Sequence, residues 1–329
     1  MPFRIKVSLA ILLAMAVLVA LGPFLIPIPP LTDTVDEQEL ADDDSQFIDI
    51  GDLNVHVKSS SLPLEGTSAF VLLHGSGTGI YTWHQVLEPL GTITKAVAFD
   101  RPGFGLTERP LPGEWQGTNP YGPEAQVTLT IELMDQLGIV EAILVGHSTG
   151  GAIALKAALE HPERVAGLIL VGATAYRTGS TPAWTRLLLS TPQVNRLGPL
   201  IMRQYAGPSG ENLLRAAWSK PELLDRETLD AYRKAFRIDN WDRALWELSK
   251  ASREPRLTKY LSEITQPVLV IAGAEDRIVP PELSERLGRD LPNATVAIFE
   301  GCGHVAQEEC PDPFLEVVQS WLFEESGLF

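Results

Sequence analysis

The sequence predicts an α/β protein in which a mostly parallel central sheet is flanked by helices. Short apolar runs alternate along the chain with segments of helical spacing. Near-continuous apolar runs are typical of strands that are buried on both faces of a parallel sheet. The predicted strands cover residues 69–75, 95–100, 142–148, 165–173, 267–273 and 294–301. Residues 124–139 and 151–163 show helical spacing and contain mostly good helix formers.

An antiparallel pair of strands is predicted at the start of the sheet. The stretch FIDIGDLNVHVKSS, residues 47–60, alternates apolar and polar residues around a Gly-Asp pair. This pattern predicts two strands joined by a turn. We therefore place the first part of the core at residues 46–175 and its second part at residues 263–329.

The segment between the two parts of the core, residues 176–262, contains much helical spacing and no strand-like run. It holds four of the seven tryptophans, namely Trp184, Trp218, Trp241 and Trp246. A helical insertion of this size ahead of the last two strands is predicted to form a lid over the strand ends. The alternative is a helical subdomain that covers nothing.

Residues 1–30 form a hydrophobic segment. Arg4 and Lys6 precede an uncharged run, and apolar residues continue to Leu31. The run reaches the roughly 20 residues that cross a bilayer, and its positive flank predicts an inside N-terminus with the rest of the chain exported. We expect a signal anchor that holds the protein in the membrane; a cleaved signal peptide, which gives a secreted protein, is the alternative. The acidic residues 31–45 are predicted to be a solvated linker.

The composition excludes several classes of protein. The chain has 329 residues and a formal net charge of −16, so the basic surface that binds nucleic acid is not expected. Two cysteines are too few for a disulfide scaffold or a four-cysteine metal site. The oligomeric state is left open.

The stretch LVGHSTGG, residues 144–151, places Ser148 between a predicted strand and a predicted helix. Active sites of parallel sheets lie at the carboxyl ends of the strands. A tight strand–turn–helix forces its central residue into a strained backbone geometry, and flanking glycines leave room for it. Ser148 is therefore a candidate nucleophile, with a helix N-terminus behind it that favours a developing negative charge.

A serine hydroxyl needs a base, and histidine is the usual one. Of the six histidines, His304 stands out because it follows the last predicted strand on a glycine-lined loop. The adjacent His147 is expected to diverge from the serine on so sharp a turn and to pack against a flank or brace a loop.

The third group must orient the imidazole, and both Glu275 and Asp276 follow the preceding predicted strand. We favour Asp276, because the next turn is expected to bury Ile278 and Val279. The order serine, aspartate, histidine, each after its own strand, is the one that the α/β-hydrolase fold requires.

From Phe47 to Phe323 the chain resembles the α/β-hydrolase family, in particular its lidded, single-domain esterases and carbon–carbon hydrolases. The matching stretches are LLHGSGTG, FDRPGFGLT, VGHSTGG, AGAEDRIVP and GCGHVAQEECPDPF, in the order of the family. Haloalkane dehalogenases and epoxide hydrolases carry aspartate at the nucleophile position, so Ser148 argues against both reactions.

The resemblance implies Ser148 as nucleophile, Asp276 as acid and His304 as base. It also implies an oxyanion hole made by the backbone N–H groups of Thr149 and Ser76. His304 would take the serine proton as the oxygen attacks a carbonyl, and water would then release the acyl group. This reaction needs neither a metal nor an organic cofactor.

The substrate is expected to be a small apolar ester or ketone. We rank a carboxylic ester of a small or medium apolar substrate first and the carbon–carbon bond of a ring-cleavage-type diketone second; a binding or signalling module with little turnover is a third reading. The lid tryptophans and Leu187–Leu189 suggest an apolar pocket. Carbon–carbon hydrolases of the family bind a dienoate carboxylate, for which the lid offers Arg203 or Arg237.

Cys302 and Cys310 bracket His304. An exported domain folds where disulfides persist, so the pair is either a bridge that holds the loop near Ser148 or two free, buried thiols. We expect free thiols, because a bridge requires Cα atoms within about 7 Å of each other. A metal site is not expected, since it would divert His304 from catalysis.

Overall fold

The computed structural model describes residues 3–61, 68–176, 183–251 and 257–328. In these ranges, all the predicted strands are present and belong to one sheet. They are β1 (Gln46–Ile50), β2 (Leu53–Ser59), β3 (Ser68–Leu73), β4 (Lys95–Phe99), β5 (Glu141–His147), β6 (Val165–Val171), β7 (Val268–Gly273) and β8 (Ala294–Phe299). The predicted fold class is confirmed.

The strands lie in the order β1-β2-β4-β3-β5-β6-β7-β8. β1 pairs antiparallel with β2 across the turn at Gly51, and β2 pairs antiparallel with β4. The remaining pairings, from β4 to β8, are parallel. The carboxyl ends of β5, β7 and β8 therefore meet at one edge, where the three residues expected to do the chemistry follow them.

Both faces of the sheet are buried, which explains the uninterrupted apolar runs. In β3, Val71 and Leu73 pack into one hydrophobic cluster, whereas Phe70 and Leu72 pack into a second cluster. Successive side chains of a strand point to opposite faces, so a strand covered on both sides needs apolar residues at every position.

Helices cover the two faces and connect the strands. They are α1 (Phe3–Leu25), α2 (Leu87–Gly91), α3 (Pro123–Gln136), α4 (Thr149–Glu160), α5 (Ala183–Leu189), α6 (Pro192–Met202), α7 (Pro208–Ala217), α8 (Arg226–Arg233), α9 (Trp241–Ala251), α10 (Pro281–Asp290), α11 (Ala306–Glu309) and α12 (Pro311–Ser320). Within α1, residues Ile5–Leu25 are long and apolar enough to cross a membrane by length and composition, and none of the window is buried.

Helices α5 to α9 form the insertion between β6 and β7 that the sequence predicts as a lid. The lid comprises residues 183–251. The chain that follows returns to the sheet, where Leu257, Leu261 and Ile264 pack in the main core cluster.

The acidic segment 31–45 differs from the solvated linker that its charge predicts. Val35 forms a β-bridge with Ile238 of the lid, and Leu40 is buried in a small cluster with Ile238. Asp42 lies 2.7 Å from both Lys58 and Lys234. Apolar contacts therefore fasten this segment to the lid, and the ion pairs of Asp42 fasten it to both the lid and β2.

Candidate active site

Ser148 lies at the sharp turn between β5 and α4. Its backbone has φ 51° and ψ −118°, a conformation that costs a non-glycine residue about 1–3 kcal/mol and that the surrounding structure must hold in place. Its N–H donates to the carbonyl oxygen of Val171 (2.8 Å), and its own carbonyl oxygen accepts from the N–H groups of Gly151 (3.1 Å) and Thr174 (3.0 Å). These bonds fix the geometry that a nucleophile elbow needs.

The glycines beside Ser148 are required by close backbone packing. A Cβ atom on Gly150 would lie 2.1 Å from the carbonyl oxygen of Leu73, and one on Gly146 would lie 2.5 Å from Cα of Gly151. Side chains at either position would push the helix away from the sheet. The helix starts at Thr149, two residues earlier than its spacing predicts.

His304 and Asp276 form a buried pair, with 2.7 Å between His304 Nδ1 and Asp276 Oδ2. The other carboxylate oxygen of Asp276 accepts from the N–H groups of Ile278 (2.8 Å) and Val279 (2.9 Å). Glu275 is exposed. The expected burial holds for Val279 but is wrong for Ile278, which is 37% exposed and lines the cavity described below.

Ser148 and His304 line the same cavity. In the part of the chain that the structure describes, their side chains form no hydrogen bond with each other. Catalytic hydrogen bonds are often long before a substrate binds and tighten in the complex. The structure thus gathers Ser148, His304 and Asp276 at one edge of the sheet, and their roles stay a prediction.

His147 braces the loop that carries His304. Its Nε2 donates to the carbonyl oxygen of His304 at 3.1 Å. Burial lowers the pKa of His147 well below the usual value, and the neighbouring His304 lowers it further. A neutral ring suits this single donated bond. The bracing role expected for His147 is therefore the one that its contacts show.

The two candidate oxyanion donors lie side by side on the cavity wall. Thr149 is the first residue of α4, so its N–H has no acceptor within the helix. The side-chain oxygens of Ser76 and Thr149 are 3.0 Å apart, and both residues line the cavity. The buried Arg101 donates from Nη2 to Thr149 Oγ1 at 2.9 Å. Arg101 was missed in the sequence, although it stands in the FDRPGFGLT stretch.

A second serine–histidine–aspartate arrangement lies elsewhere in the molecule. Ser45 Oγ is 2.8 Å from His56 Nε2, and His56 Nδ1 is 2.6 Å from Asp100 Oδ2. Asp100 also accepts from the N–H groups of Ile80 and Leu106, so it ties several loops to the end of β4. Ser45 does not line the cavity, so a substitution of Ser45 is a suitable control for a substitution of Ser148.

A cavity of about 510 Å³ lies between the elbow at Ser148 and the lid. Its lid wall is largely apolar and includes Leu213, Leu214, Leu229, Phe236, Trp241 and Leu245. The predicted apolar pocket is present, and the lid covers the carboxyl edge of the sheet.

The residues that line the pocket differ from those expected. Trp241 faces the cavity, but Trp218 and Trp246 are buried elsewhere and Trp184 is 64% exposed. Leu187–Leu189 do not line the cavity, and Leu187 is 74% exposed. Helical spacing shows which residues share a face, but it does not show what that face meets.

Neither of the arginines expected to bind a carboxylate lines the cavity. Arg203 Nε is 2.7 Å from Asp242 Oδ2, so its charge is already paired. Arg237 is exposed. The expectation is therefore wrong for both residues.

Arg109 lines the cavity instead and is buried. Its Nη2 donates to the carbonyl oxygens of Gly105 (2.6 Å) and Ala235 (3.2 Å), whereas Nε and Nη1 have no partner among the described residues. Burial lowers the pKa of Arg109 to about 10, so the side chain is still charged at neutral pH. Among the described residues Arg109 has no carboxylate partner, so its charge is suited to attract an anionic group of a ligand in the cavity.

Glu308 links the core to the lid behind the His304 loop. It is buried and accepts hydrogen bonds from Thr82 Oγ1 (2.5 Å) and from the hydroxyl of Tyr232. Tyr232 belongs to α8 and lines the cavity. Burial raises the pKa of Glu308 to about 7. Neither Glu308 nor the adjacent Glu309 stands in a sequence pattern that predicts such a contact.

Cys302 and Cys310 form a disulfide, with their Cα atoms 6.3 Å apart. The expectation of free thiols is wrong, because the loop folds back far enough to satisfy the bridging distance. The bridge encloses His304, whose N–H also donates to the carbonyl oxygen of Ala217 at 2.7 Å. Both the lid and the bridge therefore hold this loop.

Comparison with known proteins agrees with the fold. Residues 68–311 match the family described as alpha/beta hydrolase fold. The chain therefore belongs to the α/β-hydrolase fold family, and it is a hydrolase.

Several relatives are named as hydrolases of 2-hydroxy-6-oxo-dienedioates, and one is named for a 2-hydroxy-6-oxo-dienoate. The chain is 30% identical over 308 residues to the 2-hydroxy-6-oxononadienedioate/2-hydroxy-6-oxononatrienedioate hydrolase of Burkholderia vietnamiensis, covering 89% of this chain and 99% of the relative. It is 30% identical over 268 residues to the 2-hydroxy-6-oxo-6-phenylhexa-2,4-dienoate hydrolase of Burkholderia cepacia, covering 77% and 87%.

Solved structures share the architecture. A meta-cleavage product hydrolase from Pseudomonas fluorescens IP01 superposes with a TM-score of 0.63 at 26% identity, covering 83% of this chain and 95% of the other. A thermophilic esterase from Thermogutta terrifontis reaches a TM-score of 0.67 at 22% identity, covering 83% and 94%. The second likeness is one of fold alone.

Proposed function

We propose that the protein hydrolyses a carbon–carbon bond in a ring-cleavage-type diketone that carries one carboxylate, through an acyl-enzyme on Ser148. The observation that carries this proposal is the 30% identity, over 77% of the chain, to a hydrolase named for the monocarboxylate 2-hydroxy-6-oxo-6-phenylhexa-2,4-dienoate. It moves the ester, the first choice from sequence, to second place. The unpaired Arg109 in the cavity adds a partner for the carboxylate.

The reaction begins with proton transfer within the triad. Asp276 holds Nδ1–H of His304, which leaves Nε2 to accept the proton of Ser148 as Oγ attacks the ketone carbon. The N–H groups of Thr149 and Ser76 then stabilise the oxyanion, and losing one such donor typically costs about 3 kcal/mol of transition-state stabilisation.

Collapse of the oxyanion breaks the bond between the ketone carbon and the adjacent CH2 group. In the dioxo tautomer of the substrate, the released electron pair is delocalised through the conjugated 2-oxo group, and the resulting dienolate takes up the proton held by His304. Water then attacks the acyl ester with His304 again as base, which frees a carboxylic acid and restores Ser148.

The charges of the cavity favour a substrate with one carboxylate over a dicarboxylate. Arg233 also lines the cavity, but its Nη2 lies 2.6 Å from Glu211 Oε2. Among the described residues of the cavity, Arg109 is thus the arginine without a carboxylate partner. The apolar lid wall then receives the rest of the substrate, because an unpaired second carboxylate would be costly to bury there.

Comparison of kcat/KM for three substrates tests this proposal. We expect the monocarboxylate 2-hydroxy-6-oxo-6-phenylhexa-2,4-dienoate to be turned over best and the dicarboxylate 2-hydroxy-6-oxononadienedioate at least about ten-fold less efficiently, the cost of about 1.4 kcal/mol. Preference for the dicarboxylate would contradict the assignment of a single carboxylate site. Turnover of p-nitrophenyl butyrate without turnover of either dienoate would contradict carbon–carbon hydrolysis.

Ester hydrolysis is the second candidate. The same serine, histidine and N–H donors cleave an ester by the same acyl-enzyme, and the apolar lid wall accommodates an acyl chain. Turnover of p-nitrophenyl butyrate measures this activity directly.

We also propose that α1 anchors the protein in a membrane with the hydrolase domain on the extracytoplasmic side. The 21 residues Ile5–Leu25 span about 31 Å as a helix, which matches the hydrocarbon core of a bilayer. Fractionation of the full-length protein is expected to leave it in the membrane after a high-salt wash. A soluble mature protein that starts near residue 21 would instead show a cleaved signal peptide.

A further inference from the structure

The lid is fastened to the C-terminal end of α1. Gln193 Nε2 donates to the carbonyl oxygen of Ala20 at 3.1 Å. Arg196 donates from Nε to the carbonyl oxygen of Pro23 (3.2 Å) and from Nη2 to that of Ile26 (3.1 Å). Pro23 is among the last four residues of α1, whose carbonyl groups lack partners within the helix, so α6 supplies one of the missing donors.

These contacts fix the depth of the lid relative to the proposed span. Ala20 lies five residues before Leu25, the end of the apolar window, which corresponds to about 7.5 Å along the helix axis. A helix that lies in a membrane interface is buried by about 5–10 Å at the boundary between headgroups and acyl chains. The start of α6 therefore lies at interfacial depth if α1 spans the bilayer.

Helix α5, which directly precedes α6, carries an exposed apolar face. Trp184, Leu187 and Leu188 are 64%, 74% and 47% exposed. Their spacing of three and four residues places them on one side of the helix. Tryptophan is enriched where a protein meets the headgroup region of a membrane. These three residues neither line the cavity nor belong to the main hydrophobic core cluster.

We infer that the face formed by Trp184, Leu187 and Leu188 docks into the bilayer that α1 spans, so that the lid is a membrane-contact surface. The occupant is the lipid interface, because the same lid is bonded to the end of the only described helix that is long and apolar enough to cross a membrane. The inference rests on retention of α1 and is independent of which bond the enzyme cleaves.

The docked lid places the cavity rim beside the bilayer. Met202, at the end of α6, and Tyr205 line the cavity, and Tyr205 is 43% exposed. From Arg196 to Met202 is six residues, or about 9 Å along the helix. An amphiphilic substrate that is dissolved in the membrane therefore has a short path to the cavity, with its apolar part against the lid and its carboxylate toward Arg109.

Apolar contact rather than charge drives this docking. The net charge of the chain is −16, so an anionic lipid surface is not expected to attract it. Phosphatidylcholine alone is therefore expected to support docking, and addition of anionic lipid is not expected to strengthen it.

The test uses tryptophan fluorescence of the full-length protein in phosphatidylcholine nanodiscs. One set of discs contains lipid brominated near the top of an acyl chain, which quenches only tryptophans that touch it. Of the seven tryptophans, Trp184 is the exposed one; Trp115 is half-buried and the other five are buried. We expect quenching in the brominated discs that is lost in Trp184→Phe and retained in the matched control Trp115→Phe.

Equal emission in brominated and plain discs would overturn the inference, as would quenching that persists in Trp184→Phe. Failure of the protein to remain with the discs during size-exclusion chromatography would also overturn it, because α1 would then not be a retained span. None of these outcomes depends on catalysis. Absence of dienoate turnover, measured separately, would count against the proposed reaction and not against docking.

Discussion

Asp276 Oδ2 lies 2.7 Å from His304 Nδ1, while the other oxygen of the same carboxylate accepts two backbone N–H groups of its own loop. The carboxylate is thus held in place by its own loop as well as by the imidazole. With Nδ1–H occupied, Nε2 is the ring atom left to accept a proton. Glu275, one residue earlier, is exposed to solvent, whereas Asp276 is buried.

This arrangement predicts different outcomes for the two neighbouring acids. Asp276→Asn keeps the size of the side chain but favours the wrong tautomer of His304, so kcat is expected to fall by about four orders of magnitude. Glu275→Gln is the matched control and is expected to stay within two-fold of wild type. Steady-state kinetics on the monocarboxylate dienoate measure both. A large loss of kcat in Glu275→Gln together with a small loss in Asp276→Asn would show that Glu275, and not Asp276, is the catalytic acid.

Arg109 is expected to decide between carboxylated and neutral substrates. Hydrogen bonds to a charged group are worth about 1.5–3 kcal/mol, so Arg109→Gln is expected to lower kcat/KM for the monocarboxylate dienoate by about 10- to 100-fold. Turnover of neutral p-nitrophenyl butyrate is expected to change little. Arg237→Gln, which alters an exposed lid arginine, serves as the control. An equal loss on both substrates would show that Arg109 acts on the fold and not on the carboxylate.

Glu308 is expected to make the free energy of unfolding depend on pH. Its pKa is raised from 4.5 to about 7 by burial, so between these values the folded protein holds a proton that the unfolded chain has released. Stability from this group is therefore complete below about pH 4.5 and is lost as pH rises through about 7, a difference of about 3 kcal/mol.

Glu308→Gln keeps an oxygen acceptor for Thr82 and Tyr232 but does not titrate. Urea unfolding at several pH values is expected to show that the variant gains stability relative to wild type as pH rises from about 5 to about 8. His147, whose pKa burial lowers, contributes equally to both proteins and cancels in the comparison. Parallel pH profiles of the two proteins would refute the prediction.

The disulfide between Cys302 and Cys310 is expected to be present in the purified protein. Alkylation under denaturing conditions, followed by intact mass, should detect no free thiol without reductant and two after reduction. Replacement of both cysteines by alanine is expected to cost about 2–3 kcal/mol of unfolding free energy, as the chain-entropy model gives for so short a ring. Two alkylated thiols without reductant would rule the bridge out.

The sheet and the turn at Ser148 can be predicted from the sequence because each depends on a pattern of neighbouring residues. Strands that are apolar at every position must be covered by helices on both faces. The glycines two residues before and after Ser148 allow the close backbone packing of a sharp turn, and few backbone conformations fit there. The preference for Asp276 over Glu275 rests on the expected burial of Ile278 and Val279, and of these two Val279 is buried whereas Ile278 lies on the cavity wall.

The residues that line the cavity cannot be predicted from the sequence, because their positions depend on how the helices pack against one another. The sequence shows Arg109, Arg203 and Arg237 as equivalent charges; only the packing pairs one with Asp242, exposes another and buries Arg109 in the cavity. In the same way, the acidic surroundings of Leu40 hide its burial against the lid.

Turnover of 2-hydroxy-6-oxo-6-phenylhexa-2,4-dienoate by the wild-type protein and by Ser148→Ala, followed through the loss of dienoate absorbance, tests the proposed reaction most directly. We expect turnover by the wild type, a loss of several orders of magnitude in Ser148→Ala, and unchanged turnover in Ser45→Ala, which alters the serine beside His56 instead. Retention of even about a tenth of wild-type turnover by Ser148→Ala would contradict the central claim.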